Sequence, residues 1–74
     1  MIDHMKYAVV IEQGPESVSA YVPDLPGCVS VGSTREEVLE LIREAIALHL
    51  KSLGDNGEPI PEPSSSVEII EVAA

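Results

Sequence analysis

The side chains in this sequence able to do chemistry are two histidines, one cysteine and thirteen carboxylates, set among only four basic residues. A two-metal hydrolase needs a carboxylate near the middle of a strand, where it can hold the ions against a phosphodiester. The segment KYAVVIEQ, residues 6–13, offers only Glu12 at its end, and Asp3 falls outside it. His49 lies on the apolar side of a helical pattern, with no second ligand spaced to join it. Its place near a helix C-terminus, where the dipole favours a cation, explains it without metal or proton transfer. His4 stands in the terminal stretch. Cys28 would need a positive neighbourhood to become a reactive thiolate, and its nearest charge in sequence, Asp24, has the wrong sign. The serines lack a G-x-S-x-G elbow, and no glycine pattern cradles a phosphate. The sequence is read as a non-enzyme, with no catalytic, cofactor-binding or metal-binding residue and no cofactor.

Charge narrows the partners. A net charge of -9 and a pI near 4.3 oppose nucleic acid, whose phosphates demand lysine and arginine. The same charge suits steering toward a basic protein. A lone cysteine builds no disulfide framework and fits a reducing compartment. The N-terminal MIDHMKYAVV has neither a basic leader nor a long apolar run, and no apolar run could span a bilayer. The expected location is the cytoplasm, away from membranes. A chain of 74 residues makes one domain, residues 1–74, with a core that is marginal without help.

The elements that would position these groups follow from pattern. Residues 5–12 read as a strand rich in β-branched bulk, residues 13–16 (QGPE) as a turn, and residues 17–22 as a half-buried strand of clean alternation. PDLPG ends that strand, because neither Pro23 nor Pro26 can donate to a ladder. Residues 28–32 form a short third strand, with Val29 and Val31 expected inward. Ser33 or Thr34 then caps a helix through the capping-box spacings to Glu36 and Glu37. The helix is expected to run to about Leu53 and stop at Gly54. Its apolar arc, from Val38 through Ile42, Ile46 and Leu50, is wider than one small sheet needs. This predicts self-association, as a dimer. Residues 54–66 form a Gly/Pro/Ser connection in which Ile60 could anchor, and residues 67–72 (VEIIEV) read as a last strand. The order βββαβ gives an α+β fold: one mixed four-stranded sheet, spatial order 3-2-1-4, with one helix on one face.

The stretch from Tyr21 to Pro63 resembles the HicB family of antitoxins. The shared features are P-D-L-P-G-C at Pro23, Asp24, Leu25, Pro26, Gly27 and Cys28, then G-S-T at Gly32 to Thr34, Glu36 and Glu37. E-A-I at Glu44 to Ile46, the leucine-rich helix end, and G-E-P-I-P-E-P at Gly57 to Pro63 complete them. The resemblance covers nearly all of the chain. It implies a partial ribonuclease-H-like fold without its active site, and a partner: HicA, a small basic toxin that cleaves mRNA and is masked by its antitoxin. Many family members carry a C-terminal DNA-binding domain. This sequence reads as a short, stand-alone member without one, so no DNA binding is expected of it. The surface expected to meet the toxin is the acidic start of the helix, Glu36, Glu37, Glu40 and Glu44, with Asp24 beside it. The competing reading is a non-catalytic, oligomeric structural or ligand-binding domain with no toxin partner.

Overall fold

The computed structural model describes residues 4–74, so Asp3, weighed above as a metal-binding carboxylate, lies outside them. Three strands, β1 (Val10–Gln13), β2 (Val18–Tyr21) and β3 (Val29–Gly32), precede one helix, α1 (Arg35–Asp55). The strands form an antiparallel meander in the order β1-β2-β3. Its first turn closes with the Gly14 amide donating to the Ser17 carbonyl at 2.8 Å. β1 begins five residues later than its sequence pattern suggested, for want of a partner. Val10 pairs with Tyr21 at the end of β2, so earlier residues face the proline-bracketed turn rather than a strand.

That turn is two consecutive β-turns. Leu25 N–H donates to the Val22 carbonyl at 3.1 Å, and Cys28 N–H to the Leu25 carbonyl at 3.0 Å. Pro23 and Pro26 each take the second position of a turn, where their fixed φ is already correct. Gly27 follows Pro26 with φ +85, the left-handed conformation that a type II turn requires there. The Val22 amide donates to the Cys28 carbonyl at 3.1 Å and locks β3 onto β2. The turn also packs the core from within, because Leu25 is wholly buried.

The helix covers one face of the sheet. Val18, Ala20, Val22, Leu25, Cys28, Val38 and Ile42 are the buried core, flanked by Tyr7, Val9, Ile11, Ala45, Ile46 and Leu50. Burial pushes the Cys28 thiol up from its ordinary range, so it packs as a small apolar group. Val29 and Val31 correct the expectation that they point inward: they are 62% and 63% exposed. Register decides their side. Val29 pairs with Tyr21 and Val31 with Ser19, and those two already lie on the face away from the helix.

Thr34 caps α1, its hydroxyl accepting from Glu37 N–H at 3.1 Å. The Glu37 carboxylate reaches back to accept from Ser33 N–H at 2.8 Å. The helix passes the expected stop at Gly54 and ends at Asp55. Gly57, at φ +68, provides the exit. Glu58 N–H donates to the Leu53 carbonyl and Gly57 N–H to that of Gly54, the paired closure of a Schellman motif. Twenty-one helical residues span about 31 Å, against roughly 13 Å for a four-residue strand. The helix is thus longer than the strands it covers; Leu50 still packs against the core, while Leu48 is exposed.

The expected fourth strand is absent from the sheet, which has three strands and is wholly antiparallel. Residues 67–72 have no regular pairing among the described residues and are exposed throughout. A strand needs a partner edge for its amides and carbonyls, and this segment does not meet the one β1 offers. No helix among the described residues is long and apolar enough to cross a membrane.

Candidate partner-binding face and C-terminal clamp

Glu36, Glu37, Glu40 and Glu44 all lie on the exposed side of α1. Glu36, Glu40 and Glu44 follow one another at i, i+4 spacing and form a ladder of like charge along one side. Each such pair costs an isolated helix about 0.2–0.5 kcal/mol, and among the described residues no ion pair at contact distance offsets it. Among the described residues the one ion pair is Lys51 with Asp55 at 2.8 Å, an exposed pair of small worth. Arg35 and Arg43 therefore neutralise none of the ladder at contact distance. Glu37 differs from the other three, because its carboxylate holds the start of the helix.

The structure gives Asp24 partners that no local pattern foretold. Its Oδ2 accepts from the amides of Ser64 and Ser65, each at 2.9 Å. Its Oδ1 accepts from the two hydroxyls, at 2.9 Å from Ser64 and 2.8 Å from Ser65. The amide bonds of Ser65 and then Ser64, with the hydroxyls adding, lower the Asp24 carboxyl from 3.8 to about 2. A carboxylate held by backbone N–H groups resists protonation because the charged form is the better acceptor. The tail is held a second time by the Tyr7 hydroxyl, which donates to the Pro61 carbonyl. Burial raises the Tyr7 phenol, and Glu62 and Asp24 raise it further. Ile60, which could have served as the anchor, is 42% exposed. His49 is half-buried on the inner side of α1. Among the described residues no three His, Cys, Asp or Glu side chains gather as metal ligands.

The Asp24 clamp is open to a pH test. Its folded carboxyl titrates below the unfolded one, so its contribution is complete above about pH 4 and is lost as pH falls through about 2. Hydrogen exchange at the Ser64 and Ser65 amides is expected to lose protection through that range. Asp24→Ala should expose the same amides at neutral pH, by roughly tenfold or more, while the amides of α1 keep their protection. Equal protection in wild type and variant would show that the tail is held elsewhere.

Comparison with known proteins places this geometry. A family model described as HicB-like antitoxin of bacterial toxin-antitoxin system matches residues 7–73. A UPF0150 protein of Thermoplasma acidophilum is 39% identical over 62 residues, covering 82% of this chain and 90% of that protein. Antitoxin HicB 2 of Photorhabdus laumondii is 31% identical over 75 residues; the match takes in 100% of this chain but only 54% of that protein. Among solved structures, a chain from a HicA3 and HicB3 toxin-antitoxin complex superimposes with a TM-score of 0.69 at 32% identity. That match covers 81% of this chain and 70% of the other.

Proposed function

The chain belongs to the HicB-like antitoxin family, and from that premise we propose that it binds a small, basic, HicA-type toxin and masks the surface with which the toxin cleaves mRNA. The observation that carries this reading is the 32% identity and 0.69 TM-score to a chain of a toxin–antitoxin complex. The carboxylate ladder supports it. An RNA-cleaving protein presents cations to phosphates, and Glu36, Glu40 and Glu44 offer fixed anions in their place. Such complementarity raises the association rate and selects the partner. Asp24 adds charge near the turn while its oxygens hold the tail.

In this reading the chain acts in the cytoplasm by binding, with no reaction of its own, and its sheet-and-helix layer is a catalytically empty relative of the ribonuclease-H fold. Lys6, Arg35, Arg43 and Lys51 are too few to hold duplex DNA against thirteen carboxylates. The chain works as a homodimer, because Val29, Val31 and Leu48 leave apolar surface exposed. Co-expression with a small basic HicA-type toxin tests the proposal. That protein alone should arrest growth, and this chain should restore growth and co-purify with it. A toxin that still arrests growth and does not co-purify would contradict the reading.

A further inference from the structure

Residues 67–72 have the composition of a strand, yet they pair with none among the described residues. Ile69 and Ile70 stand 94% and 77% exposed. A compact monomer of 7.9 kDa exposes about 4,400 Å², whereas this chain exposes 5994 Å². The surplus, about 1,600 Å² by that scaling, is about twice the ~800 Å² that each partner contributes to a standard specific interface. The radius of gyration of 14.1 Å likewise exceeds the roughly 11 Å of a compact domain of this length.

The root of this segment is fixed. Asp24 takes four hydrogen bonds from Ser64 and Ser65, and Tyr7 holds the carbonyl of Pro61. Tyr7 precedes β1, and Asp24 sits in the turn that follows β2. The tail is therefore anchored at the end of the sheet where β1 begins, and from there an apolar arm departs. β1 bonds to β2 on one side and offers the other edge.

We propose that residues 67–72 are an exchange arm: in a dimer, the arm of each copy adds as a strand to the β1 edge of the other. The inference rests on the dimer proposed above and specifies how it forms. The expected four-strand order is then completed by two chains, each supplying the other's last strand. Ile69 and Ile70 are consecutive and point to opposite faces of the extended arm. One joins the helix-covered layer, and the other extends the open face that Tyr21 and Val10 occupy. Backbone pairing supplies the remaining attraction, as in strand addition generally. Each copy carries a charge of -9, so added salt should strengthen the association by screening the repulsion.

Two measurements on the full chain decide it. In sedimentation, Ile69→Asp with Ile70→Asp should weaken the dimer at least ~100-fold, with the helical circular dichroism unchanged. In NMR, an Ala74→Cys chain carrying a spin label is mixed with an unlabelled, 15N-enriched chain. The label goes to residue 74 because Cys28 is buried. Broadening of the β1 amides in that mixture supports exchange. Broadening only when label and isotope share one chain overturns it, since the arm would then fold back on its own sheet. A dimer that survives the double substitution overturns the arm and leaves the dimer standing, whereas a wild-type chain that sediments only as a monomer removes both. Should the double variant lose its helix, the mixing experiment on the otherwise native chain decides alone.

Discussion

Leu25→Ala is expected to leave the chain mostly unfolded at 37 °C. Leu25 is completely buried, and it reaches the core from the middle of a turn. Truncating a buried leucine costs about 3–5 kcal/mol, part in lost transfer energy and part in the cavity left behind. A domain of this size has roughly 3–5 kcal/mol from a single core, so one side chain is comparable to the whole. Collapse around the cavity is limited, because two prolines and the hydrogen bonds of the double turn fix the backbone on both sides. Leu25→Met, which nearly conserves volume, should cost less than about 1.5 kcal/mol. Urea unfolding at low micromolar concentration measures both, with concentration held equal because dimerisation adds apparent stability. A Leu25→Ala chain with a wild-type midpoint would show that the turn is not part of the core.

The largest functional effect is expected from reversing Glu36, Glu40 and Glu44 to lysine. Steered association runs about 10–1,000-fold faster than unsteered at low salt, so this triple reversal should slow capture of the toxin by at least ~10-fold. It should also flatten the salt dependence of the rate. The fold should survive, because among the described residues these three carboxylates accept no hydrogen bond and no ion pair. Glu37 is left in place for a structural reason: it holds Ser33 N–H, and its removal would confound binding with loss of the cap. Stopped-flow association at two ionic strengths measures the effect. An unchanged rate would move the toxin contact off this side of α1.

Much of this architecture was legible in the residues. Thr34 and Glu37 announce the helix start because capping chemistry is local, and P-D-L-P-G announces a turn because proline and glycine fix φ. What escaped depends on distant partners. The side on which Val29 falls is set by its pairing with Tyr21, and a four-residue strand contains too few alternations to reveal its own phase. The helix overran Gly54 because the positive φ sits at Gly57, and two candidate glycines look alike in sequence. The Asp24 clamp joins residues 40 and 41 positions apart, and no local spacing signals it. For the site, α1 delivered the carboxylates to the expected exposed side, but only the geometry separated Glu37 and Asp24, which hold the chain together, from Glu36, Glu40 and Glu44. The pattern of residues 67–72 is that of a strand, while its partner lies outside the reach of pattern.

Whether this chain silences an RNA-cleaving toxin by covering it is decided by an RNA cleavage assay. A purified HicA-type toxin is incubated with mRNA while this chain is titrated in. Cleavage should fall in proportion to added chain and cease at a fixed stoichiometric ratio, with excess RNA unable to reverse it quickly. Cleavage that continues undiminished at a large excess of the chain would contradict the account.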